Sequence, residues 1–202
     1  EKKYPGICRS MMGLHPCSVN ANYREELNIV NENLANQAFI ANGEIGLDFY
    51  WDLTYKDQQY DAFRQQLEWA VRYNLPVSIH SRNATTECIE VIREYSGRAR
   101  GVFHCFSGTA EEAKKAIDLN FYLGIGGVAT FKNGGLDKVL LRQESEHVPL
   151  LIQGHPRLQL PRVIIQNNAH FPLVVEPYRK PCHHYEDQSD EFAMLKYKYL
   201  ES

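Results

Sequence analysis

Three side chains able to bind a metal stand beside short apolar runs. Glu44 follows the turn pair Asn42-Gly43, His80 closes Pro76-Val77-Ser78-Ile79, and His104 closes Gly101-Val102-Phe103. Imidazole nitrogen and carboxylate oxygen suit borderline-to-hard divalent ions such as Zn, Mn or Mg. A catalytic metal needs about three protein ligands and one position left open for water, and the trio meets that count. A lone histidine at a strand end is ordinarily a hydrogen-bonded structural residue. Two histidines and a glutamate at equivalent ends of neighbouring strands favour a metal instead. His15, in Gly13-Leu14-His15-Pro16, follows a short apolar segment at a turn and either points into the same site or closes a loop. Arg82, just beyond His80, offers the planar fork that clamps phosphate, or is a surface arginine. Gly124 to Gly127 lets backbone approach a phosphate, or is turn punctuation. His147, His155, His170 and the pair His183-His184 fall in an irregular tail, where the pair reads as solvated surface. Cys105 reads as a small buried group, facing away from its strand neighbour His104. The sequence has no Ser-His-Asp order, P-loop or dinucleotide fingerprint.

Such groups need elements that carry them to one place. Asn36–Ile40 and Glu44–Tyr50 read as extended. Asp57–Tyr73 sets Tyr60, Phe63, Leu67, Ala70 and Val71 on one helical stripe. Asn74-Leu75-Pro76 ends that helix, because the proline ring disfavours helical geometry before it. Pro76–His80 is a short buried strand, and Asn83 can cap the next helix, whose inner side carries Cys88, Ile89, Val91 and Ile92. Gly101–His104 repeats the strand pattern. Thr109-Ala110-Glu111-Glu112 is a capping box opening a helix to about Leu119, followed by a strand at Phe121–Ile125 that Gly126-Gly127 closes. Strands about 20–25 residues apart with a helix between them mean β-α units on a parallel sheet, whose ligands bind at the carboxyl ends of the strands. From about Arg142 the pattern loosens. Pro156, Pro161, Pro172, Pro177 and Pro181 punctuate it, and only Val163-Ile164-Ile165 is plainly strand-like.

Composition sets the outer bounds. The chain has 202 residues, 44% of them apolar and 11% aromatic, enough to bury a core as a single domain. Lys and Arg (22) nearly balance Asp and Glu (25), giving −3 with no long run of one sign. That argues against a broad polyanion-binding face and leaves room for a local phosphate site. No apolar run approaches the roughly 20 residues that span a bilayer, and residues 1–5 hold no signal-peptide core. Five scattered cysteines without a C-x-x-C point to a reducing compartment, so a cytoplasmic protein with no membrane association is expected. A length of 202 residues is short for an α/β barrel of roughly 250.

Together the motifs resemble the TatD family of metal-dependent deoxyribonucleases, within the amidohydrolase-like barrels. The matching stretches are Gly13-Leu14-His15-Pro16, Gly43-Glu44-Ile45-Gly46-Leu47-Asp48-Phe49-Tyr50, Leu75–Arg82, Gly101-Val102-Phe103-His104-Cys105-Phe106-Ser107-Gly108 and Phe121–Asn133. They run in order over about residues 4–141. The resemblance implies an α/β fold, a TIM-type barrel holding two divalent metals (Mg, Mn or Zn), with Glu44 bridging them and His80 and His104 completing the second metal's shell. It implies hydrolysis of DNA phosphodiesters by a metal-activated water, as an exonuclease on single-stranded DNA ends, with His15, Arg82 and Ser107 contacting phosphate or the ligands. No obligate protein partner is implied.

Two departures go with it. The family's first strand carries a His-x-His pair that nothing before Tyr4 supplies, so a barrel lacking its N-terminal strand or strands is expected. Val163–Ala169, followed by Glu176-Pro177-Tyr178-Arg179-Lys180, loosely echoes the family's last strand, which puts Asn168 at the position of an essential Asp. An amide is no base and a poor ligand there. Residues 142–202 otherwise match poorly within the single partial barrel of 1–202. Two further possibilities stay open at this point: a hydrolase of small amides, esters or lactones on the same scaffold, and a truncated or decayed non-catalytic relative.

Overall fold

A computed structural model describes residues 9–126 and the strand at residues 150–152. After a 3-10 turn at Pro16–Ser18 come α1 (Tyr23–Asn36), β1 (Asn42–Asp48), α2 (Lys56–Arg72), β2 (Val77–Arg82), α3 (Thr85–Arg93), β3 (Gly101–Phe103), α4 (Ala110–Asp118), β4 (Phe121–Ile125) and β5 (Leu150–Ile152). The five strands lie in chain order in one sheet and every pairing is parallel. Parallel neighbours demand crossovers, which α2, α3 and α4 supply. No described helix is long and apolar enough to cross a membrane.

The sheet continues past β1. Met12 bridges Asn42 in parallel, its N–H donating to Ala41 O at 3.3 Å while Gly43 N–H donates to Met12 O at 2.9 Å. The run before His15 is therefore a strand-like rung on β1, where the sequence read only an apolar segment before a turn.

Two apolar layers hold the strands. Ile45, Leu47, Val77, Ile79, Phe103, Phe121 and Leu123, each at most 1% exposed, meet Phe63, Leu67, Ile89 and Ile92 of the helices. Burying each such side chain contributes about 1.5–3 kcal/mol. The opposite side of α2 carries Ala62 and Trp69 into a second cluster with Leu14, Leu27, Val30 and Leu34. α1, which brings the last three of these, has no counterpart among the expected elements, although Tyr23, Leu27, Val30 and Leu34 recur at helical spacing. β5 lies beyond the point where the apolar pattern loosens.

The turns into three strands share one device. Asn74, Gly97 and Asn120 adopt φ of 54°, 73° and 66° just ahead of β2, β3 and β4. Asparagine and glycine enter the left-handed region most readily and so close a helix while re-aiming the chain. α2 thus stops at Arg72 and reverses through Asn74, with Leu75 N–H donating to Ala70 O at 2.8 Å, before Pro76 is reached. The capping box forms as expected: Thr109 Oγ1 accepts from Glu112 N–H, and Glu112 Oε2 accepts from Thr109 N–H at 2.8 Å.

Other expectations give way. Asn83 does not cap α3, since it sits at φ 51° and Ala84 occupies the cap position without a side-chain bond. Residues 37–41 join α1 to β1 and belong to no strand, although Ile40 N–H donates to Ser10 O at 3.1 Å and Ala41 O accepts from Met12, and Asn42-Gly43 is the start of β1, not a turn. Cys105 is half-buried at φ 45°, because the chain has already left β3 and turns back toward Phe106, whose N–H donates to Gly124 O at 2.8 Å.

Candidate metal centre

Alternation along β1 and β2 sorts apolar from polar. Ile45, Leu47, Val77 and Ile79 enter the helix-facing core, so Glu44, Asp48, Ser78, His80 and Arg82 turn to the other face. The register of β1 against β2 shifts between Asn42 and Ile45, one residue being gained. This bulge puts Asn42 on the helix side, where its Nδ2 donates to Gln66 O of α2 at 2.7 Å, and keeps Glu44 on the inner face. Gly46 pairs with His80 at φ 140°, and a Cβ there would collide with the His80 carbonyl oxygen. The missing side chain lets the two strands approach beneath the polar groups.

The described residues bring together four of the side chains singled out by sequence. Glu44 lies between two histidines: His104 Nε2 is 3.6 Å from its Oε1 and His15 Nε2 is 3.8 Å from its Oε2. The His15 and His80 rings meet with centroids 4.4 Å apart. Oε1 of Glu44 is buried and accepts no hydrogen bond among the described residues. An unpartnered buried carboxylate oxygen costs about 1–3 kcal/mol or more, and a cation would relieve it.

His80 is held by a buried carboxylate. Its Nε2 lies 2.8 Å from Asp48 Oδ2, and a carboxylate only accepts, so Nε2 donates this bond. Metal-binding histidines almost always give their other N–H to a carboxylate or carbonyl in this way. Asp48 is fully engaged: Cys17 Sγ donates to Oδ2 at 3.3 Å, and the N–H groups of Tyr50 and Trp51 donate to Oδ1 at 2.9 and 3.4 Å. Burial pushes the Asp48 carboxyl upward, but the hydrogen bonds from His80, Tyr50 and Cys17 outweigh it and hold it below its ordinary value.

His15 is set differently. Its Nδ1 accepts the Cys17 N–H at 3.2 Å, which puts the ring proton on Nε2 and presents His15 to the site as a donor. Burial, and then the neighbouring His80, push its pKa down, so the ring stays neutral. Cys17 is the sulfur-bearing neighbour of His15, and donor atoms of His15, Cys17 and His80 lie within 4.8 Å of one another. Its thiol is pushed up to about 11 by burial and by the Asp48 hydrogen bond, which keeps it protonated.

Two glutamines of α2 fix this arrangement from the core. Gln66 Oε1 accepts Leu14 N–H at 2.6 Å and its Nε2 donates to Leu14 O at 3.1 Å, fastening the backbone next to His15. Gln59 Oε1 accepts Asp48 N–H at 2.9 Å. Sequence reasoning assigned no role to either, nor to Asp48 or Cys17. Signals existed: Asp48 stands an even number of residues beyond Glu44 on one strand, and Gln59 and Gln66 interrupt an otherwise apolar stripe. Of the remaining candidates, Arg82 stacks on Tyr50, its Cζ 4.0 Å from the ring centroid. Ser107 is exposed in the turn after His104, and no hydrogen bond ties it to the cluster. Asn168, Val163–Ala169, Glu176–Lys180 and the tail histidines lie outside the described residues.

The carboxylate and imidazole donors, with a Glu44 oxygen that accepts no hydrogen bond among the described residues, fit a divalent cation of the borderline-to-hard kind. Comparison with solved structures places the parallel sheet and its helices in the α/β TIM-type class. YjjV, a TatD homologue from Escherichia coli K12, superposes with a TM-score of 0.65 at 28% identity, over 71% of this chain and 56% of that one. A TatD family hydrolase from Entamoeba histolytica gives 0.56 at 26%, over 70% and 48%. The family model for TatD related DNase matches residues 1–151, and the chain belongs to that family. Among curated relatives it is 38% identical over 133 residues to the metal-dependent hydrolase YabD of Bacillus subtilis, covering 65% of this chain and 52% of the relative. It is 33% identical over 165 residues to the 3'-5' ssDNA/RNA exonuclease TatD of Edwardsiella piscicida, covering 80% and 62%. The chain thus spans about half to three-fifths of the length of the relatives it matches.

Proposed function

We propose that this chain carries the site of a divalent-metal-dependent nuclease that hydrolyses phosphodiesters at the ends of single-stranded DNA. Glu44, His80 and His104 would hold the cation. One observation carries the proposal: a buried Glu44 oxygen that accepts no hydrogen bond among the described residues faces His104, close to a His80 whose Nε2 is engaged by Asp48. The name of the Edwardsiella relative supports a nucleic-acid substrate, and the family model supports a nuclease.

When bound, a divalent cation polarises a phosphoryl oxygen and makes water a nucleophile near neutral pH. The protein's own groups do the rest. Asp48 holds the His80 ring in place by accepting from its Nε2. His15, neutral and protonated on Nε2, donates toward an oxygen where charge builds up. Arg82 supplies a fixed positive charge within reach of a neighbouring phosphate. Degradation of end-labelled single-stranded DNA in Mg²⁺ or Mn²⁺ tests the proposal. His104→Ala should abolish it, and unchanged degradation by that variant would overturn the assignment.

A further inference from the structure

The loop after β1 exposes large side chains at the edge of the centre. Of the five large hydrophobic residues exposed among the described ones, three fall here: Tyr50 at 51%, Trp51 at 69% and Leu53 at 55%. Clustered apolar exposure of this kind ordinarily marks a binding surface. The Trp51 and Tyr50 rings meet edge to face, with centroids 4.7 Å apart and planes at 89°, and Trp51 is the more exposed of the two. Arg82 lies over both rings, its Cζ 4.0 Å from the Tyr50 centroid and 5.1 Å from that of Trp51, and no carboxylate pairs with it among the described residues. Asp52, next to Trp51 in the chain, is turned to Thr54, whose N–H and hydroxyl it accepts at 2.9 and 2.7 Å.

The loop is tied to the centre. Tyr50 and Trp51 give their N–H groups to the same Asp48 that orients His80, and Phe49 N–H donates to Arg82 O at 2.9 Å. An aromatic face beside a planar cation, fixed next to a phosphate-cleaving site, matches the alternation of base and phosphate along a single strand.

We propose that Tyr50, Trp51 and Arg82 form a subsite on which an unpaired nucleobase stacks, Trp51 providing the face and Arg82 contacting the adjoining phosphate. The assignment rests on the nuclease proposal and adds to it a base-binding position independent of base identity, since every base has a π-face.

Trp51 reports on itself, because the chain's other tryptophan, Trp69, is buried in the second apolar cluster. The full chain is titrated in EDTA, where no cleavage occurs, with short oligothymidylate and with the same backbone lacking bases. Expected are quenching of Trp51 fluorescence by the first alone, and binding of the base-free strand weaker by about ten-fold or more. Trp51→Ala should lose the quenching and weaken oligothymidylate binding about as much, whereas Trp51→Phe should restore affinity without restoring the quenching. Arg82→Lys should weaken both strands. Equal affinity of wild type for the two strands, or an undiminished affinity in Trp51→Ala, would overturn the subsite while leaving metal-supported cleavage intact. If wild type neither binds nor cleaves oligonucleotides, the nuclease proposal fails and takes the subsite with it, leaving the aromatic loop to a protein partner.

Discussion

Glu44 and Asp48 are carboxylates of one strand that face the same side of the sheet, yet they are built in opposite ways. Asp48 is 2% exposed, and both its oxygens are occupied by donors from His80, Cys17, Tyr50 and Trp51. Glu44 is 26% exposed, has one oxygen buried without a donor among the described residues, and meets its two histidines only at 3.6 and 3.8 Å. A saturated carboxylate contributes to folding and holds its neighbours in place. An unsaturated one contributes little to folding and keeps its lone pairs available for a cation. The difference separates the residue that orients from the residue that binds.

Exchanging each carboxylate for its amide tests this most sharply. Glu44→Gln should remove Mn²⁺ binding, read by calorimetry, and reduce cleavage by more than the roughly 10–100-fold that loss of an outer partner costs. Its metal-free melting temperature should stay level or rise, since a buried unpaired oxygen has been replaced by a neutral amide. Asp48→Asn should do the reverse: a 10–100-fold loss of metal affinity and a clear fall in metal-free stability. A fall in stability for Glu44→Gln as large as for Asp48→Asn would show that the two carboxylates play one structural role.

The same pair makes a pH prediction. The Asp48 pKa lies below its ordinary value of 3.8, the hydrogen bonds outweighing burial. A carboxyl depressed on folding stabilises above its unfolded pKa, and that contribution is lost as pH falls through the folded value. Melting temperature should therefore drop below about pH 4 more steeply in wild type than in Asp48→Asn. Parallel acid limbs would show that Asp48 is not held by these bonds.

How much of this was legible follows from what each residue answers to. Strand positions and the inner stripe of α2 are set by local periodicity, so Phe63, Leu67, Ile79 and Leu123 could be placed from sequence. Glu44, His80 and His104 could be named because each sits beside a short apolar run. The bulge in β1, the hydrogen bonds of Gln59 and Gln66, and the tie from Cys17 to Asp48 depend on partners 11 to 52 residues away, which no local pattern reports. Asn83 misled for a related reason: capping requires an extended backbone at that residue, and the left-handed φ of 51° that the chain takes there rules it out.

Gly46→Ala probes the close approach on which both carboxylates depend. A Cβ would strike the His80 carbonyl, and φ of 140° is strained for alanine, so a loss well above the ~1 kcal/mol of an ordinary glycine exchange is expected in chemical denaturation. Cleavage should fall with it, because Glu44 and His80 would be pushed apart. Stability lost with activity kept would mean that the spacing of the two strands is not what the site needs.

Thr109→Ala gives the smallest effect and the control for the rest. It removes one acceptor from the first turn of α4 and leaves the Glu112 N–H without its cap, at about 1 kcal/mol. Glu112 keeps its bond from Thr86 Oγ1 at 2.7 Å, so α3 and α4 stay joined and the loop through His104 keeps its frame. Melting temperature should fall slightly while Mn²⁺ affinity and cleavage remain at wild-type levels. Should metal affinity drop here as it does in Asp48→Asn, general destabilisation would explain both, and the contrast between an orienting and a binding carboxylate would lose its support.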